Sequence, residues 1–272
     1  RTLTLISRKA VDRFPTGAPT VAVRNPLNEE QVILRPSLLP GLLEIAARNL
    51  RNGTRNLKLF EVGRLFSATA PEERDAVALL LTGGVQPASW RDAEPRDADF
   101  FDLRGTLSTL FAALNLSGVV ALQPGSHPAL ALAVEILRDG RPIGMAGQVQ
   151  PALAREFDFR APLLVAELDL AGLQPVPASG FRDLPKFPAV TRDVAMLVPL
   201  ATTHGEIEAQ LRSANEPLLA GVELFDLFTD PAGEKIPADR KSVAYALTYR
   251  SNERTLTVDE VAAAHQRLKE RL

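Results

Sequence analysis

The sequence contains no cysteine, only two tyrosines and one tryptophan, and two methionines among 272 residues. Without cysteine, disulfides, thiolate metal sites and cysteine nucleophiles are excluded. No apolar run approaches the roughly 18 residues that a membrane-spanning helix requires. The formal net charge is −2 at pH 7, whereas many nucleic-acid-binding proteins are strongly basic.

The remaining composition is that of a water-soluble globular protein, with 46% hydrophobic and 24% charged residues. A length of 272 residues suggests one large domain or two ordinary ones. The first residues, RTLTLIS, alternate as a strand does and lack the charged-then-apolar layout of a secretory signal. Because the sequence begins with Arg1 and not with methionine, we expect a segment of a longer chain.

Hydrophobic periodicity predicts a mixture of strands and helices in the first part of the chain. Asn52–Gly53 supplies a helix stop, and Asp139–Gly140 is typical of a tight hairpin turn. The predicted helices are 37–53, with Ser37 as a candidate cap, 99–116 and 151–159. The predicted strands are 1–7, 58–66, 76–84, the two arms of a hairpin over 131–149, and 161–170.

Composition changes over residues 171–190, which hold four prolines and two glycines without a sustained period. Such a stretch favours a linker. We therefore predict a first domain over 1–175, a Pro-rich linker over 176–190 and a second domain over 191–272.

The second domain reads as strand, helix, strand, strand, helix. The predicted strands are 192–199, 221–230 and 241–251, and the predicted helices are 204–216 and 257–272. Thr257 followed by Glu260 forms a capping-box pattern at the start of the last helix. The order is that of a ferredoxin-like split βαβ fold short of its last strand, so one edge of its sheet is expected to lie open.

Two groups of segments resemble the β-subunit of bacterial phenylalanyl-tRNA synthetase. NPLNEEQVILRPSLLPGLLEIAARN and LKLFEVGRLF resemble its catalytic-like region. FPAVTRDVAMLV, LLAGVELFDLF and KSVAYALTYRSNERTLTVDEV resemble its ferredoxin-fold anticodon-binding domain. The motifs are long, occur in the expected order and extend over nearly the whole chain, so the match is far more specific than a short glycine pattern.

The resemblance implies an α+β fold: an antiparallel sheet with helices, like the core of class II aminoacyl-tRNA synthetases, followed by the ferredoxin-like domain. It also implies a cytoplasmic heterotetramer of two α and two β chains, with the α-subunit and tRNAPhe as partners and no membrane association. The whole enzyme would join phenylalanine to its tRNA with ATP and Mg²⁺ at an α-subunit active site. No cofactor is expected in this segment itself.

The end of the strand KLFEVGRLF lacks a residue that class II catalysis needs. In catalytic members, an aromatic residue there is followed by an arginine that grips the ATP phosphates, with an acid two places later. Here Phe66 is followed by Ser67 and Thr69, and strand alternation places Arg64 on the face opposite Ser67. The second, glycine-rich arginine element is also missing after residue 173. We therefore expect a non-catalytic copy, without catalytic residues, that supports the α-subunit.

RNA contact is expected in the second domain, where split βαββαβ folds often stack bases on a sheet face. The region from 181 onward carries 12 basic and 14 acidic residues, so any contact must be a local patch. Tyr245 and Tyr249 lie four apart on one strand and share a face, which is either the core or the RNA platform. The candidate RNA-binding residues are Lys186, Phe187, Arg192, Lys241, Tyr245, Tyr249 and Arg250.

Several residues permit a structural interpretation as well as a functional one. Arg192 with Asp193 suits an ion pair or cap as well as RNA contact, and Gly83–Gly84 suits a plain turn better than a phosphate cradle. Trp90 is either a loop anchor or an interface residue. The three histidines, His127, His204 and His265, fall in different elements, which argues against a metal site; His204 fits a helix start, His265 the surface, and the role of His127 is open.

Two rival functions are compatible with the sequence. The chain could be a protein-assembly scaffold whose second domain never touches RNA. It could also be a small-molecule enzyme on a class II fold, although the sequence offers no convergent cluster of acids and arginines for a pocket.

Overall fold

A computed structural model describes residues 2–69, 72–87, 89–91, 93, 95–177 and 184–271. The chain divides into two compact units, Arg1–Ser179 and Gly180–Leu272. The predicted linker, 176–190, falls partly outside the described residues, so its bounds stay a prediction.

The first unit combines short and long strands with helices of 4 to 14 residues. Its strands are Leu5–Ile6 (β1), Val21–Ala22 (β2), Ile33–Leu34 (β3), Leu57–Phe66 (β4), Glu73–Thr82 (β5), Val120–Pro124 (β6), Leu130–Arg138 (β7), Arg141–Val149 (β8) and Leu163–Asp169 (β9). Its helices are Arg8–Arg13 (α1), Leu39–Arg51 (α2), Phe100–Ala113 (α3), Pro151–Glu156 (α4) and a 3-10 turn, Leu170–Leu173.

A six-stranded antiparallel sheet, in the order β4-β5-β9-β8-β7-β6, forms the centre of this unit, and β1, β3 and β2 form a small second sheet. Alternate residues of β5 enter two different cores. Ala78 and Leu80 pack with helix α2, whereas Val77 and Leu81 pack with helix α3. The sheet therefore lies between helices on both faces, because its central strands are apolar at almost every position.

Local signals explain where these elements begin and turn. Asp99 caps α3 by accepting hydrogen bonds from the backbone N–H groups of Phe101 and Asp102, and Asp102 completes a capping box. The hairpin between β7 and β8 turns at Asp139 and Gly140, both with positive φ, as an Asp-Gly turn requires. The predicted hairpin and the predicted helices are confirmed, with ends shifted by a few residues.

The second unit consists of strands Val190–Pro199 (β10), Leu219–Thr229 (β11) and Arg240–Tyr249 (β12) with helices His204–Ser213 (α5) and Val258–Lys269 (α6). The sheet order is β10-β12-β11, all antiparallel. Both helices begin with capping boxes, Thr203 with Glu206 and Thr257 with Glu260. The predicted ferredoxin-like order of elements is confirmed.

Both helices of the second unit cover one face of its sheet. Residues 243, 245, 247 and 249 of β12 point to that face and are fully buried, with Ile207 and Leu211 of α5 and Val261 and Leu268 of α6 against them. The opposite face of the sheet carries no helix within the described part of the unit. This leaves an open face for the functional questions below.

Candidate nucleic-acid interface

Apart from Tyr245, which lies in the middle of β12, the predicted RNA-binding residues lie toward the two ends of the second unit's sheet. Val190 pairs with Tyr249, and Pro199 pairs with Arg240 at the other end of the same antiparallel ladder. Lys186, Phe187 and Arg250 therefore belong to the end where β10 begins. Lys241 belongs to the opposite end, and at about 3.3 Å per residue the two ends are roughly 30 Å apart.

Tyr245 and Tyr249 were predicted as candidate RNA-binding residues, and the structure corrects this assignment. Both side chains are fully buried on the face covered by α5 and α6. The Tyr245 hydroxyl lies 2.9 Å from His204 Nδ1, and the Tyr249 hydroxyl lies 3.1 Å from His265 Nδ1. An aromatic ring inside a core cannot stack on a base, so the packing interpretation holds for both residues.

The two tyrosine–histidine contacts join β12 to the helices, and burial favours the neutral form of both partners in the Tyr249–His265 pair. Burial raises the pKa of Tyr249 to about 12, with the charge of Glu216 adding to the effect. Burial lowers the pKa of His265, and the positive charges of Lys269 and Arg192 lower it further. His204 begins α5 as predicted, whereas His265, predicted at the surface, is half-buried because its ring reaches Tyr249.

Arg250 is the predicted residue with the least satisfied side chain. Its backbone N–H donates to the carbonyl of Leu218, which fixes the residue at the end of β12. Its Nε is buried and has no hydrogen-bond partner among the described residues. A buried donor left without a partner costs about 1–3 kcal/mol, and native structures usually satisfy such groups with water or an ion.

Arg192 and Asp193 do not form the ion pair that their adjacency suggested. Arg192 is opposite Leu247 in the ladder and so points to the helix side, whereas Asp193 is opposite Ala246 and points to the open face. The Arg192 guanidinium donates to the backbone carbonyl of Thr191 at 3.1 Å. Its charge is therefore available at the edge of the sheet, on the same side as His265.

The other predicted cations differ in how firmly they are held. Lys241 Nζ donates to the backbone carbonyl of Leu200 at 3.0 Å, which ties this amine to the neighbouring loop. Lys186 is exposed and Phe187 is half-buried just before β10. Lys186 makes no ion pair within the described residues, so it remains available to an external anion.

The open face of the sheet carries acidic residues on its outer strands and only small side chains on its middle strand. Ser242, Ala244, Ala246 and Thr248 of β12 point to this face, as the register requires. The acidic residues that flank them on β10 and β11 are Asp193, Glu223 and Asp226. These carboxylates repel phosphate groups, and the cations Lys235 and Arg240 lie only toward one end, so the middle of the face does not match the base-stacking platform that the fold suggested.

One aromatic residue on the open face was missed by the sequence analysis. Phe228 is opposite Ser242 in the ladder, its side chain is 39% exposed, and Lys235 Nζ lies 5.8 Å from its ring centroid. The signal was present in the motif ELFDLF. It could not be interpreted because bulges between Leu219 and Gly221 and between Leu224 and Asp226 shift the alternation of β11.

The end of β4 in the first unit is where the sequence analysis noted the absence of a phosphate-binding arginine. Ser67 is engaged locally: its backbone N–H donates to the carbonyl of Glu72, and its hydroxyl accepts from the backbone N–H of Thr69. Arg64 bonds Glu73 at 2.8 Å and Asp75 at 3.2 Å. These carboxylates raise the pKa of Arg64, and they engage the arginine of β4 itself.

A second arginine near β4 is buried and fully occupied. Arg35 Nη1 lies 3.1 Å from Glu61 Oε1, its Nε donates to the carbonyl of Arg64, and Glu61 also accepts from the backbone N–H of Thr2. A Cβ at residue 63 would collide with Arg35 Nη2, so glycine is required where the guanidinium crosses the strand. This interior side of β4 is thus filled by a closed ionic cluster.

Glu167 of β9 extends the polar layer beneath α2. Its carboxylate accepts from the backbone N–H of Leu38 at 2.7 Å and from the hydroxyl of Ser37 at 3.0 Å. Ser37 Oγ in turn accepts from the backbone N–H of Leu39, the first residue of α2. Burial raises the pKa of Glu167 despite these bonds. Ser37 thus accepts a hydrogen bond from the start of α2, as a cap does, and donates its own hydroxyl proton to Glu167.

The described residues contain no group of three or more histidine, aspartate and glutamate side chains placed to hold a metal ion. No helix among them is long and apolar enough to cross a membrane. The strand-to-helix pair Gly83–Gly84 forms a turn: Gly83 has a φ of +79°, and Gly84 N–H donates to Asn56 Oδ1.

Comparisons with known proteins agree with the arrangement of both units. Residues 1–170 match the family model described as the phenylalanyl tRNA synthetase beta chain CLM domain, and residues 185–272 match the ferredoxin-fold anticodon binding domain. The phenylalanine–tRNA ligase beta subunit of Symbiobacterium thermophilum is 35% identical over 93% of this chain and 29% of its own length. That of Salinibacter ruber is 35% identical over 100% of this chain and 35% of its own length.

Among solved structures, a pyrrolysyl-tRNA synthetase from Desulfitobacterium hafniense has a TM-score of 0.47 and 16% identity, over 64% of this chain and 60% of its own. The chain spans about a third of the length of the curated relatives it matches. Together, the two family models extend over almost all of the chain, in the order of the two units. The chain belongs to the family of phenylalanyl-tRNA synthetase β-chains.

Proposed function

We propose that this chain is the part of a phenylalanine–tRNA ligase β-subunit that supports the α-subunit and contacts tRNAPhe. The whole enzyme would be a cytoplasmic assembly of two α and two β chains that uses ATP and Mg²⁺. The names of the relatives support the subunit assignment, and the model matched by 185–272 supports an RNA-binding second unit.

The first unit is proposed to be non-catalytic. A class II site must stabilise the charge on the ATP phosphates, and a free guanidinium is the group suited to this. Arg64 is instead bonded to Glu73 and Asp75, and Arg35 is bonded to Glu61. Ser67 supplies no charge at the position where catalytic relatives of the fold carry arginine.

Phenylalanine-dependent pyrophosphate exchange tests this assignment directly. The chain alone is expected to give no exchange above the buffer, whereas the assembled αβ enzyme gives exchange. Exchange by the chain in the absence of the α-subunit would contradict the proposal.

The observation that carries RNA contact is the unsatisfied Arg250. This arginine combines a buried Nε without a partner among the described residues with a terminal position on β12, beside the segment that carries Lys186 and Phe187. Because Arg250 is only partly buried, a phosphate would approach the terminal amino groups of its guanidinium, in a charge-assisted interaction of about 1.5–3 kcal/mol. We therefore assign the RNA contact to this end of the sheet and not to its open face.

Substitution at the two ends of β12 tests the assignment. In the assembled enzyme with the full-length β chain, Arg250→Gln is expected to weaken tRNAPhe binding about tenfold or more and to lower the salt slope of log K by about one. Arg240→Gln is the matched control, because Arg240 is exposed at the opposite end. Equal losses in both variants, or no loss in either, would rule out a contact localised at Arg250.

The assembly-scaffold function remains the second candidate because of one observation, the acidic open face with Phe228 exposed on it. Such a face suits a protein partner better than RNA. Charge reversal by Lys186→Glu with Arg192→Glu separates the two functions. The scaffold function predicts unchanged tRNA affinity at low salt, whereas RNA contact predicts a loss that increases as salt is lowered.

A further inference from the structure

Two cavities lie side by side at one edge of the first unit's six-stranded sheet. Their volumes are about 670 Å³ and about 330 Å³. The segment 159–161, between α4 and β9, lines both of them. The two cavities therefore adjoin at this segment, and we name them together the arginine groove.

Arginine is the dominant charged residue of the arginine groove. The larger cavity is lined by Arg51, Arg55 and Arg160, and the smaller by Arg155 and Arg160. Two aspartates, Asp97 and Asp158, line the larger cavity as well. Four arginines against two aspartates give the groove a positive balance, in a chain whose overall charge is slightly negative.

Most of these guanidinium groups are not engaged by the protein. Arg51 lies 3.5 Å from Asp158, and both side chains are more than half exposed, so this pair is weak. Within the described residues, no hydrogen bond or ion pair involves the side chains of Arg55, Arg155 or Arg160. Elsewhere in the same unit, Arg35 and Arg64 are bonded to carboxylates.

The frame that carries the arginines is rigid. Phe159 and Leu163 are buried at the floor of the groove, and Thr82 Oγ1 donates to the carbonyl of Pro162 at 2.9 Å. Gly83, which has a positive φ, lies directly against the backbone carbonyl of Arg55, where a Cβ would collide with it. The backbone positions of Arg55 and Arg160 are thus set before any ligand arrives, which lowers the entropic cost of binding.

We propose that the arginine groove binds the phosphodiester backbone of RNA. Guanidinium groups pair with phosphate oxygens in a bidentate manner, and their planes also stack on bases. The arginines are distributed along two adjoining cavities and do not converge on one point, which suits successive phosphates better than a single small anion. The choice of RNA as the polyanion rests on the proposed function, whereas the groove itself does not.

The test uses the assembled enzyme with the full-length β chain and unmodified tRNAPhe as the probe. Arg55→Gln with Arg160→Gln removes two unpaired groove cations. Arg104→Gln with Arg141→Gln is the matched control, because both are exposed cations outside the groove. Binding is measured across a salt series, and backbone protection is mapped by hydroxyl-radical footprinting.

The groove variant is expected to lower the salt slope of log K by about two, one for each phosphate that an arginine no longer neutralises, and to expose one stretch of tRNA backbone. The control variant should keep both the slope and the footprint. An unchanged slope and footprint in the groove variant would overturn the inference. Arg250→Gln, run in parallel, separates this failure from a failure of the proposed function, because it alters the RNA-binding residue of the other unit.

Discussion

The two units bury polar groups beneath their helices in opposite ways. The first unit buries charge: Arg35 and Glu61 form an ion pair with both side chains under 10% exposed, and Glu167 lies close by under α2. The second unit instead uses tyrosine–histidine hydrogen bonds: Tyr249 with the half-buried His265, whose neutral form burial favours, and Tyr245 with the exposed His204. A buried ion pair stabilises little overall but is costly to break, whereas a neutral hydrogen bond is modest in both respects.

This difference matters because the ionic cluster fills the interior side of β4, the strand at whose end the resemblance implies a lost phosphate-binding arginine. An arginine bound to Glu61 in a dry site cannot also grip a phosphate. In the second unit, the proposed RNA-binding cations take no part in the hydrogen bonds that join β12 to the helices. The comparison therefore supports both proposals, a non-catalytic first unit and RNA contact by the second.

The two methionines allow both units to be followed in one sample. Met145 packs against the core of the first unit and Met196 against the core of the second. The urea dependence of methionine oxidation by peroxide then reports the free energy of unfolding of each unit separately. All of the following predictions use this measurement.

The largest effect is expected from Arg35→Ala. The substitution leaves Glu61 buried without its counter-ion and should reduce the free energy of unfolding at Met145 by about 3–5 kcal/mol. Met196 should be unaffected. The double variant Arg35→Met with Glu61→Leu is the control, because removing both charges should recover most of the loss. A double variant as unstable as Arg35→Ala would show that the loss comes from packing and not from the unpaired charge.

The second prediction concerns Gly63, over which the Arg35 guanidinium lies. Gly63→Ala places a Cβ against Arg35 Nη2 and should destabilise the first unit by roughly 1–3 kcal/mol through overpacking. Gly105→Ala is the matched control, because Gly105 is on a helix with open space around it and alanine favours helices. If Gly63→Ala were as stable as the parent chain, the guanidinium would not be fixed at this strand.

The fold was largely accessible from the sequence, because it depends on local signals. The pattern Asp139–Gly140 predicted a hairpin turn, and Thr257 with Glu260 predicted a helix start. The two-residue alternation of β12 placed Tyr245 and Tyr249 on one face. The sequence could not decide which face the helices would cover. That choice depends on helices distant along the chain, and it turned the two tyrosines from candidate base-stacking residues into core residues.

The candidate sites were less accessible, since they depend on contacts across long separations. Glu167 meets Ser37 and Leu38 across about 130 positions, and the arginine groove brings Arg51 and Arg55 together with Arg160. No local pattern indicates such a meeting. Phe228 was hidden for another reason, because bulges in β11 interrupt the two-residue period by which faces are assigned.

A smaller effect is expected where the second unit's tyrosine–histidine pairs are cut. Tyr249→Phe removes the hydroxyl that contacts His265 and should reduce the free energy of unfolding at Met196 by about 1 kcal/mol. Tyr245→Phe removes the contact with His204 and should reduce the same free energy of unfolding by a similar amount. Because burial favours the neutral forms of Tyr249 and His265, the loss in Tyr249→Phe should not depend on salt. A loss of several kcal/mol would mean that the histidine is charged, and the contrast between the two units would fail.

The smallest effect, and the sharpest contrast, is in the pH dependence. The raised pKa of Glu167 means that the folded first unit holds a proton more tightly than the unfolded chain. Its contribution to the free energy of unfolding is therefore full below the ordinary value of 4.5 and declines as pH rises through the folded-state pKa. The lowered pKa of His265 has the opposite sign: its contribution is full above the ordinary value of 6.5 and is lost as pH falls.

In the parent chain, the free energy of unfolding reported by Met145 should therefore decline as pH rises, and Glu167→Gln should remove this decline. The free energy of unfolding reported by Met196 should decline as pH falls, and His265→Gln should remove that decline. Each variant acts on one unit, so the other unit serves as its control in the same sample. Other groups titrate in the same range, including His127 in the first unit, whose pKa burial lowers. The difference between parent and variant cancels their contributions, because they are common to both chains. If the parent-minus-variant free energy of unfolding changed with pH in the same direction in both units, the opposite pKa shifts of Glu167 and His265 would be contradicted.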